Sequence, residues 1–281
     1  MPPRSNEIEV RARGIAAREL LRGGWSESFA CLKVPRGLRW STYKERHFAM
    51  KVSDRNYFAL KKLHSLTGVV PIGLFLLEHF FTNSKALQGE TAFNNAAAEL
   101  ARIPYVGLVE AAGIWAPIAF HMVLGVLIAT TSQANLGKHG YAKNWQYTLQ
   151  RVSGIVLVFY ILFHTWMTRF DANYLSSPSA YAFVADQLKS PGIFAFYVVG
   201  ILSACWHLGN GLFGFAIHWG LVTSRGAQRN ASRLAMAAFI VLSLVGINSL
   251  LAFTGRGIYP DLLTKPHGAE HGPVVYQGGQ H

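Results

Sequence analysis

The sequence predicts an all-α integral membrane protein, a bundle of five transmembrane helices with a cytoplasmic N-terminus and an outer C-terminus. Its 281 residues include 26 basic and 14 acidic ones, so that charged residues make up 14%, whereas soluble domains approach a quarter. Charge is missing from several stretches of about 20 residues, the length that a helix needs to cross the hydrocarbon of a bilayer. The first 50 residues are polar and basic without an apolar core, and therefore do not indicate a cleavable signal.

Five apolar stretches qualify as membrane spans. None has a strongly charged face, so each is expected to cross the bilayer rather than to lie on its surface. They divide the chain into a basic cytoplasmic extension over 1–55, a membrane domain over 56–256 and a flexible outer tail over 257–281. The predicted spans are about 64–84, 108–131, 150–168, 191–220 and 234–254.

The orientation follows from the distribution of Lys and Arg. Twenty of them lie in the segments 1–63, 132–151 and 221–233, and six lie on the other side of the predicted bundle. Cytoplasmic segments of membrane proteins are enriched in these residues, which explains the net charge of +12 without nucleic-acid binding. The two cysteines, Cys31 and Cys205, lie at different depths and suggest neither a metal pair nor a disulfide framework.

Four histidines lie deep in predicted spans, each on a different helix: His79, His121, His164 and His207. An intramembrane ionisable residue is costly and usually functional, and histidine is a common axial ligand of haem iron. At about 1.5 Å per residue, His79 and His164 lie roughly 22 and 21 Å from the inner surface. His121 and His207 lie roughly 20 and 24 Å below the outer surface. The depths predict two bis-histidine b haems, with His79 and His164 binding the outer iron and His121 and His207 the inner iron.

Other residues near these histidines have two interpretations each. Gly125 and Gly211 follow His121 and His207 by four residues and leave room either for a macrocycle or for close helix packing. Arg151 and Arg169 suit haem propionates, or a position at the membrane boundary with the charge reaching water.

Two further histidines compete as ligands. His64 and His218 lie at the cytoplasmic boundary, where a hydrated imidazole needs no metal. The remaining histidines are expected in solvated loops and tails: His47, His139, His267, His271 and His281.

Four pieces of the sequence carry the deep histidines with their neighbours: KKLHSLTGVVPIGLFLLEH, PIAFHMVLGV, KNWQYTLQRVSGIVLVFYILFHTWMTR and FYVVGILSACWHLGNGLFGFAIHWG. Together they resemble the di-haem cytochrome b anchor of bacterial succinate:menaquinone oxidoreductases, with quinol:fumarate reductases as more distant relatives. The resemblance covers about residues 55–254. It implies the same four ligands in the same two pairs, and a place in the bacterial inner membrane. The basic extension and the long tail depart from the compact family form.

The resemblance also implies partners and a substrate. An FAD-containing flavoprotein oxidises succinate in the cytoplasm, an iron–sulfur subunit passes the electrons on, and this subunit, without binding succinate, anchors both and reduces menaquinone. Glu110 at the outer boundary is then a candidate for quinone proton exchange, or an acidic residue favoured at a helix start. Glu78 inside the first span is a candidate for a proton path or for a hydrogen bond near the haem.

Two other functions compete with this one. A cytochrome b of a hydrogenase or formate dehydrogenase would use similar helix-bound haems with another soluble donor. A haem-free transporter or structural anchor would use the histidines as a proton relay. A reduced b-type absorbance band separates the last class from the other two.

Overall fold

A computed structural model describes residues 54–131 and 141–258, and these residues are all-α without a strand. Five helices are long and apolar enough to cross a membrane, as the sequence predicts. The described residues leave out most of the predicted basic extension, with Cys31, and nearly all of the predicted tail. The five histidines predicted in loops and tails also lie outside them. The spans, numbered I to V, are Asp54–Val69 with Pro71–Ser84, Val106–Thr131, Ala142–Met167, Pro191–His218 and Arg225–Ala252.

Three spans begin eight to ten residues earlier than the hydropathy predicts. Span I begins at Asp54 rather than 64, span III at Ala142 rather than 150, and span V at Arg225 rather than 234. Hydropathy detects only the part of a helix that suits hydrocarbon, whereas the backbone hydrogen bonds continue into polar residues. Span V begins where the Ser224 hydroxyl accepts a hydrogen bond from the Ala227 amide at 3.1 Å, a helix cap that hydropathy does not register.

Spans I to IV form a closed ring, and span V packs on its outside. Span I contacts II, II contacts III, III contacts IV, and IV returns to the first half of span I. Span V packs against IV and the second half of span I. Small residues permit this close approach: a Cβ atom at Gly209 would lie 2.8 Å from the Ala235 carbonyl oxygen. We call the end at which span I begins the basic end, and the other the opposite end.

Two spans depart from regular α-helix. Span I is interrupted at Val70, directly before Pro71, because proline supplies no amide proton and its ring crowds the preceding turn. Span II contains a π-helical turn over Ala111–Trp115, a wider turn that often occurs at functional sites. The break in span I lies between His64 and His79.

The loops predicted over 85–107 and 169–190 contain short helices. These are Lys85–Gln88, Glu90–Ala101, Ala172–Ser176 and Ala180–Gln187. Asn94 joins two of them, because its side chain donates to the Ser179 hydroxyl and accepts from the Tyr181 amide, both at 3.0 Å. Ala86, Leu87 and Phe93 lie in one buried apolar cluster with Phe253. The opposite end is therefore covered by packed structure rather than by open loops, a part of the fold that hydropathy missed.

Candidate functional site

A cavity of about 1700 Å³ runs through the ring formed by spans I to IV, and all four deep histidines line it. Pockets for small molecules are usually about 300–1,000 Å³. The cavity therefore has room for more than one such ligand, and it extends from His218 at the basic end to Glu110 at the opposite end.

The four histidines face one another in two pairs. In the basic-end pair, the ring centroids of His121 and His207 are 6.1 Å apart at an interplanar angle of 83°. In the opposite-end pair, those of His79 and His164 are 5.6 Å apart at 80°. Each pair joins two spans across the ring, II with IV and I with III. These are the pairs that the depth estimate predicts, and their role as iron ligands stays a prediction.

The spacing in both pairs suits a metal ion between two imidazoles. Nitrogen ligands bind such ions at about 2 Å, so two imidazoles on opposite sides of one ion have ring centroids roughly 6 Å apart. Both pairs are close to this separation. The cavity between the spans extends around both pairs, as a flat macrocycle requires.

Backbone carbonyls fix the rings of the basic-end pair. Nδ1 of His121 lies 2.9 Å from the His64 carbonyl oxygen, and Nδ1 of His207 lies 3.1 Å from that of Gln150. A carbonyl only accepts hydrogen bonds, so each Nδ1 carries the proton and each Nε2 keeps its lone pair. A metal-binding histidine usually has this arrangement, since the second nitrogen donates to a carbonyl or carboxylate.

The same three-position notch receives both of these rings. In span I it consists of the His64 carbonyl, the Thr67 hydroxyl 3.4 Å from Nδ1 of His121, and Gly68, where a Cβ would lie 2.5 Å from Cε1 of His121. In span III it consists of the Gln150 carbonyl, the Ser153 hydroxyl 3.2 Å from Nδ1 of His207, and Gly154, where a Cβ would lie 3.0 Å from Cε1. Each notch places a carbonyl, a hydroxyl three residues later and a glycine four residues later. Neither notch was predicted from the sequence, although HSLTG and QRVSG contain the spacing.

Side chains rather than carbonyls surround the opposite-end pair. Nδ1 of His164 lies 3.2 Å from the Tyr197 hydroxyl, and the Tyr160 ring stacks against His164 at an interplanar angle of 11°. Phe75 lies 5.6 Å from the His79 ring, centroid to centroid. Neither Tyr197 nor Tyr160 was predicted from the sequence as part of the site.

The two competing histidines occupy different surroundings. The His64 ring stacks on that of His121 at 3.8 Å and 15°, which is too close for one iron to lie between them. Nδ1 of His218 lies 2.8 Å from the Gly214 carbonyl of its own helix. Neither forms a facing pair of the kind described above.

The predicted glycines line the cavity but face side chains. A Cβ at Gly125 would lie 3.1 Å from Cε1 of His64, and one at Gly211 would lie 3.5 Å from Nε2 of Gln150. The Gln150 amide in turn donates to the His207 carbonyl at 3.0 Å and accepts from Asn210 at 2.8 Å. Gly211 therefore leaves space for a side chain that holds the His207 segment.

The predicted charged residues lie at both ends of the cavity. At the opposite end, Arg169 pairs with Glu110 at 3.0 Å and thereby joins spans II and III, a partnership that the sequence did not indicate. The neighbouring rings of Trp115 and Phe170 are 5.4 Å apart. At the basic end, the guanidinium of Arg151 lies 3.3 Å from the centroid of the Tyr147 ring.

Glu78 also lines the cavity, within span I. Its carboxylate accepts a hydrogen bond of 2.5 Å from the Thr82 hydroxyl one turn later, which offsets part of the cost of a carboxylate in this environment.

Two comparisons with known proteins found matches. Residues 131–246 match the family model described as "Succinate dehydrogenase/Fumarate reductase transmembrane subunit". The chain is also 37% identical over 202 residues to the succinate dehydrogenase cytochrome b558 subunit of Bacillus subtilis (strain 168), a match that covers 72% of this chain and 100% of the relative.

Proposed function

The chain belongs to the transmembrane cytochrome b subunits of succinate dehydrogenases and fumarate reductases, and on this premise we propose that it binds two b haems and connects a soluble electron donor to membrane menaquinone. The observation that carries the proposal is the two facing histidine pairs in one continuous cavity. The relatives do not favour the alternative of a hydrogenase or formate dehydrogenase cytochrome.

Four imidazoles would hold the two irons through Nε2. His121 and His207 would bind one iron near the basic end, and His79 and His164 the other near the opposite end. Haem bound in this way accepts and releases single electrons at a potential set by its axial ligands and their hydrogen bonds. The two notches keep Nδ1 protonated, which leaves the lone pair on each Nε2 available. Arg151 at the basic end and Arg169 at the opposite end line the cavity and are candidates for neutralising haem propionates.

Quinone chemistry requires protons as well as electrons, and Glu110 is our candidate for their exchange. Its carboxylate lies at the opposite end of the cavity beside the π-helical turn of span II. This carboxylate can accept a proton from solvent and transfer it to a reduced quinone oxygen. Glu78, deeper in span I, is the candidate for a connection between this position and the surroundings of His79.

The proposed assembly follows from the family. The chain is a multi-pass protein of the bacterial cytoplasmic membrane, and we propose that its basic end faces the cytoplasm, where most Lys and Arg lie. At this end it would anchor the FAD-containing flavoprotein and the iron–sulfur subunit. Succinate would be oxidised by the flavoprotein, so this chain acts as a subunit of the enzyme without binding succinate.

The deciding experiment measures haem content together with subunit composition. The complex is purified through a tag on this chain, haem is quantified as the pyridine haemochrome, and the co-purifying subunits are identified. We expect two haems per chain and both soluble subunits. A fully assembled complex without a pyridine haemochrome signal would overturn haem binding, and a molybdenum or nickel partner would overturn the succinate dehydrogenase assignment.

A further inference from the structure

We propose that Tyr197 is a positioning residue for His164, and that its phenol oxygen sets the redox equilibrium of the opposite-end site. The inference rests on the proposed function, because it concerns the iron that His164 and His79 would share. It goes beyond that function by assigning the control of one site to a side chain in span IV that contacts the ligand and not the iron.

The hydrogen bond defines the role of Tyr197. Its hydroxyl lies 3.2 Å from Nδ1 of His164, and the two residues belong to different spans. When Nε2 of an imidazole binds a metal, Nδ1 keeps its proton and becomes a donor. The phenol oxygen must then accept this hydrogen bond.

Aromatic contacts restrict the remaining freedom of the His164 ring. Tyr160, one turn earlier in span III, stacks on it at 5.6 Å and 11°, whereas the Tyr197 ring meets it edge-on at 78°. Gly200 leaves space for the Tyr160 ring, since a Cβ at position 200 would overlap it. The stack with Tyr160 fixes the plane of the imidazole ring. The contact with the phenol oxygen fixes where Nδ1 lies within that plane.

The consequence for the iron follows from the chemistry of the imidazole. An acceptor at Nδ1 makes the ring a stronger electron donor at Nε2, and a stronger donor favours ferric over ferrous iron. At the basic end the acceptors are carbonyls, which no substitution removes. At the opposite end the acceptor of His164 is a phenol, and phenylalanine lacks it.

The test uses the complete complex with Tyr197→Phe. Both haems should remain. At a fixed ambient potential the ferrous-to-ferric ratio of the haem bound by His164 should rise about threefold to tenfold, the effect of one neutral hydrogen bond; tenfold corresponds to 59 mV for one electron. Its low-field ferric EPR signal should shift, whereas the signal and midpoint of the other haem should not. Potentiometric titration of the α-band and low-temperature EPR measure both quantities without turnover.

Tyr181→Phe is the matched control, because it removes a phenol hydroxyl at the same end that donates to the Ala252 carbonyl at 3.1 Å rather than contacting a histidine. Both midpoints should remain unchanged. 4-Methoxyphenylalanine at position 197 keeps the acceptor oxygen and should restore the original midpoint. Tyr197→Phe could itself lose one haem. In that case, retention of both haems with 4-methoxyphenylalanine at position 197 supports the inference, and loss of a haem with that side chain as well overturns it.

The outcomes separate the two proposals. Two haems with an unchanged or lowered ratio in Tyr197→Phe overturn the role of Tyr197 and leave the proposed function intact. A wild-type complex without haem overturns both.

Discussion

The two histidine pairs have similar ring separations but differ in what holds the rings. At the basic end, spans I and III each present a carbonyl, a hydroxyl and a glycine in the same helical spacing, and each notch receives one imidazole. At the opposite end, His164 lies against a phenol and a stacked aromatic ring. One bundle therefore positions equivalent ligands by its backbone at one end and by side chains at the other.

The difference has an energetic consequence. A hydrogen bond to a backbone carbonyl depends on how two helices are rotated and spaced. It therefore survives substitution of the side chain at the carbonyl's residue, but not a change in the distance between the helices. A phenol acceptor depends on one side chain and can be altered without moving a helix. Substitutions of small residues should therefore disturb the basic-end site, and substitutions of polar aromatic residues the opposite-end site.

The largest expected effect is the loss of one site at a time. His121→Ala should remove the basic-end haem and His79→Ala the opposite-end haem, each lowering haemochrome content from two per chain to one, because an iron with one remaining protein ligand is weakly held. His218→Ala, which removes an imidazole outside both pairs, is the control and should retain two. Two haems in both single variants would show that the ligands have been assigned wrongly.

Glu110→Gln should lower only the rate of quinone reduction, because Glu110 lies at the opposite end of the cavity. We expect quinone reduction to fall about 100-fold, the lower range for the loss of a general acid–base group, while haem content and both midpoints stay unchanged. Glu99→Gln is the control, because Glu99 is an exposed carboxylate paired with Arg102 at the same end. Equal turnover in the two variants would leave Glu110 with only its structural pairing to Arg169, since the span begins at Val106 and Glu110 lies beyond its first turn.

Gly68→Ala and Gly154→Ala compare the two notches directly. Alanine favours a helix over glycine by about 1 kcal/mol, so any loss of haem comes from the new Cβ atom. That atom would lie 2.5 Å from His121 in the first variant and 3.0 Å from His207 in the second. We expect haem affinity to fall about tenfold for Gly68→Ala and less for Gly154→Ala, measured by haem titration of the apoprotein.

Gly214→Ala serves as the control for these two variants, since a Cβ there meets nothing within 4 Å. The reverse order of the two glycine variants, or a loss as large in Gly214→Ala, would contradict the notch interpretation.

Ser153→Ala should have the smallest effect. The Ser153 hydroxyl lies 3.2 Å from Nδ1 of His207, but the Gln150 carbonyl at 3.1 Å remains as acceptor. At a fixed ambient potential, we expect the ferrous-to-ferric ratio of the basic-end haem to change by less than about twofold. This is below the effect of one complete hydrogen bond. A shift as large as the one expected for Tyr197→Phe would mean that the hydroxyl, not the carbonyl, is the principal acceptor.

The sequence predicts the five spans and the depths of the four histidines because both depend on a constant rise per residue and on the width of hydrocarbon. It does not predict the helix starts at Asp54 or Ala142, since polar residues continue a helix that hydropathy no longer detects. The pairing of Glu110 with Arg169 and the Tyr197 contact depend on how separate helices are rotated about their axes. Local composition carries no record of that rotation. The residue spacing of each notch is present in the sequence, but identifying it as a binding position for a histidine ring requires knowing which helix lies opposite.

Span V lies outside the ring, and this position bears on how the protein is made. Its contribution to the cavity wall is confined to the opposite end, from Gly246, Ser249, Leu250 and Phe253. Chains are synthesised from the N-terminus, so the walls around His121 and His207 are complete once translation has passed His218. The cavity wall at the opposite end is complete only when the last helix is inserted. Cofactor insertion during biogenesis should accordingly be possible first at the basic end, with the last helix closing the other site.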